Sequence, residues 1–150
     1  VAFNEIYLTG KGHEEQLEIK PFPQIANVDK KILWTQHRRN MLANCGVAIF
    51  LFGNKYDDTG EIINSPGMKE EFNIAQEYGA FLLPVGETGY MAKELFDETV
   101  MLYDNYNGRF GQTAKDKFEA LSVPTTDLSQ TIKKIMQQKR TQLRVLFVYA

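Results

Sequence analysis

Apolar positions along the chain follow two alternating periods. Short apolar runs at Leu17–Phe22, Val47–Gly53, Phe81–Gly86 and Leu143–Tyr149 read as strands. The second and third, Val47-Ala48-Ile49-Phe50-Leu51-Phe52 and Phe81-Leu82-Leu83-Pro84-Val85, are almost unbroken. A strand covered on both faces has that pattern, and a parallel sheet flanked by helices provides the cover.

Between these runs the spacing becomes helical. Leu33, His37, Met41 and Cys45 recur every fourth residue over 30–44, behind Asn27 or Asp29 as cap. Ser65-Pro66 opens a helix over 66–78, because Ser is a favoured cap and Pro a favoured first helical residue. Its apolar stripe is Met68, Phe72, Ala75 and Gly79. Thr88 is placed to cap a helix bearing Met91, Ala92, Leu95 and Phe96. Thr126 or Asp127 opens the last, with Leu128, Ile132, Ile135 and Met136 on one side. Lys133, Lys134, Lys139 and Arg140 load its C-terminal end, as the helix dipole favours. Helices alternating with strands predict an α/β fold around a parallel sheet. Two connections are long, 54–64 and 104–111. The first follows a buried strand, and ligands of parallel sheets bind beyond the C-terminal strand ends.

Composition narrows the class. A chain of 150 residues fits one domain. Apolar residues at 43% and charged residues at 24% match a globular protein and exclude disorder, collagen and coiled coil. Lys and Arg total 17 against 19 Asp and Glu, a net charge of −2, which argues against a nucleic-acid partner. A single cysteine, Cys45, excludes a disulfide framework and a Cys-rich zinc site, and its apolar neighbours read as burial. No apolar run reaches the ~18–20 residues of a membrane span and no signal peptide opens the chain, so no membrane partner and a cytoplasmic location are expected. The chain opens on Val1, and Val1–Tyr7 reads as the end of a helix, so a piece of a longer protein is expected.

Three strand ends converge on one rim, at Lys20–Gln24, Gly53-Asn54-Lys55 and Gly86–Tyr90. Two of them feed helix starts, Ser65-Pro66-Gly67 and Thr88-Gly89. A helix start offers free N–H groups and about half a positive charge, which suits a phosphate. Glycine there lets a ligand come close, although turn chemistry alone also explains it. On the helical wheel Glu71 borders the Met68/Phe72/Ala75 stripe and Glu70 points well away. An inward carboxylate at a strand-end rim suits ribose hydroxyls or acid–base work; dipole complementation is the plainer alternative. Arg38 and Arg39 follow His37, itself read as a core residue. An arginine fork matches a phosphate, but mid-helix arginines are more often solvated, and Arg38 is then removable without loss of stability. Lys55 carries the same two readings. P-loop and nucleophile-elbow motifs are absent, and His13 and His37 lack metal-ligand spacing, so neither a catalytic nor a metal residue is assigned.

Four blocks carry a resemblance: Leu17–Gln24, Cys45–Lys55, Gly60–Phe72 and Pro84–Leu95. They resemble the SLOG-type domain that bacterial antiviral proteins carry beside Sir2 or TIR modules. They are similar to the C-terminal sensor of the Sir2-family NADase effectors of Thoeris defence. The resemblance runs from about residue 1 to residue 136. It implies a Rossmann-like parallel sheet flanked by helices over 1–142. The family domain starts with a strand, a helix and a Gly-rich loop that have no counterpart here, so the fold is expected to lack its first strand-helix-strand. Residues 143–150 form an extra strand, either one more strand of this sheet or the first strand of a TIR domain. The implied ligand is a cyclic ADP-ribose isomer made by a TIR enzyme, with no resident cofactor. Binding would reorganise a homo-oligomer and switch on an attached Sir2 or TIR effector that depletes NAD. By motif, the ligand-binding arginine falls on Arg38, the lysine on Lys55 and the glutamate on Glu70 or Glu71; Ser65, Gly67, Thr88 and Gly89 lend helix starts. The same superfamily holds phosphoribohydrolases of the cytokinin-activating type. Their Pro-Gly-Gly-x-Gly-Thr-x-x-Glu loop would align with Ser65 through Glu71, but an insertion interrupts it and Met68 replaces the Thr. Their catalytic arginine would align with His37. A sensor is therefore expected, with a nucleotide hydrolase using Glu71 and a plain oligomerisation domain as the other readings.

Overall fold

The computed structural model describes residues 20–119 and 145–149. In chain order the regular elements are α1 (Lys30–Leu42), β1 (Val47–Leu51), β2 (Asn54–Tyr56), β3 (Ile62–Asn64), α2 (Pro66–Glu77), β4 (Phe81–Pro84), α3 (Tyr90–Met101), α4 (Tyr103–Tyr106), α5 (Gln112–Glu119) and β5 (Val145–Tyr149). Short 3-10 turns at Gly86–Thr88 and Gly108–Phe110 precede α3 and α5. The main sheet has the order β4-β1-β5, with β1 parallel to both neighbours. Val47 pairs with Phe81 on one side and with Val145 on the other. The expected Rossmann-like α/β sheet flanked by helices is observed, and β5 joins that sheet.

Alternation along the strands divides two cores. Ala48, Phe50 and Leu82 turn to one face, where they pack with Leu42, Met68, Phe72, Ala75, Met91 and Leu95. Val47, Ile49, Phe81 and Leu83 turn to the other, with Val85, Phe96, Tyr103 and Phe118. Burial on both faces is why these strands read as unbroken apolar runs. Asn107 completes the far side of β4. Its fully buried amide donates to Leu82 O (2.8 Å) and accepts from Leu82 N (3.0 Å), as a neighbouring strand would.

Several expectations need correction. Lys20–Phe22 is irregular rather than extended into a strand, because Pro21 and Pro23 offer no N–H to a ladder; residues 17–19 and the helix expected from Thr126 or Asp127 lie outside the described residues. The 54–64 loop is an antiparallel hairpin, β2 against β3, with Lys55 opposite Ile63. Asp57 closes its turn by accepting from Thr59 N, Thr59 Oγ1 and Glu61 N at 2.7–2.9 Å. These donors hold its carboxyl below the usual range. Of the two caps expected for α1, Asp29 is the one observed, accepting from Lys31 N at 2.8 Å. Thr88 does not cap α3; Gly89 does, with no side-chain bond. The Thr88 hydroxyl instead donates to Val85 O (2.7 Å) and accepts from Phe52 N (2.8 Å), tying the end of β1 to the turn after β4.

Candidate functional site: a buried arginine at a helix start

β1 is followed by two residues of positive φ, Phe52 (59°) and Gly53 (84°), which turn the chain out of the sheet. A Cβ on Gly53 would lie 2.5 Å from Met68 Sδ, so the position needs glycine for space as well as for φ. Ser65 N donates to Gly53 O at 2.8 Å. That bond pinches the hairpin at its base and returns the chain to the end of β1, where α2 starts. The insertion therefore leaves α2 where a direct strand-to-helix turn would put it. Ser65 is the α2 cap residue but makes no side-chain cap bond, and Pro66 has no N–H. The first backbone N–H groups of α2 thus have no intrahelical acceptor and no cap.

Arg38 reaches this point from α1. Its Nε donates to Glu71 Oε1 (3.2 Å) and its Nη1 lies 3.0 Å from Glu70 Oε2. Its Nη2 reaches Gly67; a Cβ there would lie 2.6 Å from that nitrogen. The ring of Phe22 covers the guanidinium at 4.8 Å. Thr35, one turn earlier on α1, donates its hydroxyl to Glu70 Oε1 at 2.5 Å. Arg38 is 9% exposed and Glu71 6%. The solvated reading of Arg38 is therefore wrong: the α1 stripe that turns inward is Arg38 and Leu42. Glu70 does not point away either, because the flank of α2 that carries it faces α1. Its side chain keeps 35% exposure, against 8% for Glu71.

The other residues singled out in the sequence are scattered along the rim. Ser65 is buried beside Gly67. Lys55 is exposed on β2 and makes no ion pair with the Arg38 cluster. Gly89 has φ 78° at the start of α3, with open space where a Cβ would stand. Thr88 is committed to backbone partners, as described. Arg39 pairs with Glu77 at 2.9 Å on the exposed side of α1. His37 packs its ring on Phe22 (5.0 Å) and places Nε2 3.3 Å from Lys20 O. Among the described residues no group of His, Cys, Asp and Glu could hold a metal ion, and no helix is long and apolar enough to cross a membrane.

Residues 2–141 match the Sir2- and TIR-associating SLOG family. The chain belongs to this family. Similar curated proteins carry the name NAD(+) hydrolase ThsA. The protein from Cytobacillus dafuensis is 36% identical over 139 residues, covering 91% of this chain and 28% of its own length. That from Bacillus cereus (strain MSX-D12) is 32% identical, covering 91% of this chain and 28% of its own length. That from Acinetobacter baumannii (strain 532279) is 34% identical over 129 residues, with 81% and 27% covered. The chain thus spans little more than a quarter of these relatives.

In this SLOG domain the electrostatics of the cluster are set by burial. Loss of water pushes the Glu71 carboxyl up to about 7, against the pull of the Arg38 charge and hydrogen bond; the charge of Glu70 adds to the rise. Phe22 and Thr35 were missed in the sequence. Thr35 lies three residues before Arg38, which puts both on one helix face, so its role was readable. Phe22 was not, because it arrives from a loop with no period.

Proposed function

We propose that this domain is a sensor for a cyclic ADP-ribose-type signal made by a TIR enzyme, and that it controls an attached or partner NAD-depleting effector in antiphage defence. The observation that carries the reading is Arg38, held against Gly67 at the uncapped start of α2. A guanidinium beside free helix N–H groups is a pyrophosphate-binding arrangement. Glu70 is the carboxylate with access to water, so it takes the ribose hydroxyls, and Lys55, exposed on the hairpin, would supply a second cation. The family and the names of the relatives support the NADase link. The phosphate would displace Glu70 from Nη1 while Glu71 keeps Nε.

A second reading, nucleotide N-glycosidase chemistry, is favoured by one observation: a carboxyl pushed up to about 7 suits a general acid. Against it, Glu71 is closed off from solvent and spends one oxygen on Arg38. Calorimetric titration of cyclic ADP-ribose isomers into the protein, in the longest form its gene encodes, tests the sensor. Micromolar binding by at least one isomer is expected, and no heat from any would refute it. Free base released from AMP, and lost in Glu71→Gln, would establish the hydrolase instead.

A further inference from the structure

The two carboxylates on Arg38 differ in reach, and the difference assigns them different tasks. Glu70 holds Nη1 from a half-open position that a hydroxyl also shares. Glu71 holds Nε from inside the protein, and among the described residues its ion pair is with Arg38 alone. From α1 only Arg38 reaches it; Arg39 is turned to Glu77. On its own helix Glu70 lies beside it, while Lys69 is paired with Glu98 of α3. β1 and β4 bring only apolar side chains.

We propose that Glu71 is the positioning residue of the phosphate site, and that it takes up one proton from solvent when a phosphate binds Arg38. This rests on the phosphate reading above. The carboxylate fixes the guanidinium through Nε and so aims the Nη1–Nη2 edge at Gly67 and the α2 start. A pyrophosphate arriving there adds negative charge to a cluster that holds one arginine. The anion farthest from water is the most costly to keep charged, so Glu71 is the one neutralised. The proton goes to Oε2, because Oε1 accepts from Arg38 Nε. Burial already places this carboxyl at about 7, so the uptake falls in the neutral range.

The sign follows. Above pH 7 the free site must gain the proton in order to bind, so affinity falls as pH rises. From pH 6.5 to 8.5 a full coupling weakens binding by up to about 25-fold. A pyrophosphate diester adds no titration of its own, since it lacks the second ionisation near pH 6 of a phosphate monoester. His37, one residue from Arg38 and packed on Phe22, is the control position.

The test is calorimetry of the binding cyclic ADP-ribose isomer at pH 8 in two buffers of different ionisation enthalpy. The expected uptake is about 0.5–1 proton per ligand, retained in His37→Gln and absent in Glu71→Gln. Glu71→Gln should bind within about threefold of the parent at pH 6.5 with a flat pH profile, because its amide oxygen still accepts from Nε. Glu71→Ala should lose at least about tenfold, since the guanidinium is no longer held. Binding without proton uptake, or uptake that survives Glu71→Gln or vanishes in His37→Gln, overturns the proposal and leaves the sensor reading standing. If Glu71→Gln does not fold, the parent and His37→Gln decide between them. If no isomer binds, both readings fall.

Discussion

Removing Arg38 should destabilise the domain, and the size of the loss can be worked from its partners. Arg38→Ala leaves Glu71 buried at 6% exposure and without its one ion-pair partner among the described residues. Breaking a buried ion pair from one side costs roughly 3–5 kcal/mol when the orphan must stay charged. Glu71 has a way out, because its carboxyl already titrates at about 7 and without Arg38 it rises further. A neutral but unsatisfied buried carboxyl costs about 1–3 kcal/mol. Loss of the Phe22 contact over the guanidinium adds about 0.5–1 kcal/mol. Glu70 regains water, which limits its share. The net is about 2–4 kcal/mol, or roughly 4–16 °C in melting temperature for a domain of this size. The difference should be smallest near pH 5, where Glu71 is protonated in both proteins, and largest above pH 7. Thermal melts of parent and variant from pH 5 to 8.5 measure it. A variant that melts within about 1 °C of the parent at pH 8 would refute the buried cluster and restore a solvated arginine.

The same carboxyl gives the parent a pH dependence of its own. Its folded pKa of about 7 lies above the ordinary 4.5, so stability is greatest below the lower value and roughly 3 kcal/mol is lost as pH rises through the upper one. Glu71→Gln should lack that loss and be the more stable protein at pH 8, as chemical denaturation at pH 5 and pH 8 would record. Gly53→Ala should cost at least about 2 kcal/mol, since its methyl meets Met68 Sδ at 2.5 Å while φ stays at 84°; an unchanged denaturation midpoint would mean that the turn after β1 is misassigned. Asn107→Ala strips both bonds from Leu82 and should cost about 2–3 kcal/mol, with faster hydrogen exchange at Leu82 N as the local readout.

Much of the fold was readable because burial on two faces writes itself as apolar runs. Val47–Leu51 and Phe81–Pro84 are legible for that reason, and so is the Met91, Ala92, Leu95, Phe96 face of α3. The end of the first strand run, Lys20–Phe22, misled because Pro21 and Phe22 share its apolar look while Pro removes the ladder donor. The hairpin at 54–64 was hidden because Lys55, Tyr56 and Ile62 stay exposed and carry no alternation against a core. At the site, the helix starts and the residue types were legible, and so was the inward side of Glu71. The burial of Arg38 was not, because a helical wheel built on apolar residues assigns a charged side chain to solvent. Only the pairing of α1 with α2 places Arg38 between two carboxylates, and that pairing is tertiary. The position of Phe22 over the guanidinium has the same origin.

In the proposed sensor, Arg38 at the start of α2 takes the phosphate of a nucleotide signal. A crystal structure of the protein with a bound cyclic ADP-ribose isomer tests it most directly. A phosphate oxygen is expected within about 3 Å of the Arg38 guanidinium on its Gly67 side, with Glu70 released from Nη1 and Glu71 still on Nε. A bound isomer seated elsewhere, with Arg38 still clasped by both Glu70 and Glu71, would contradict it.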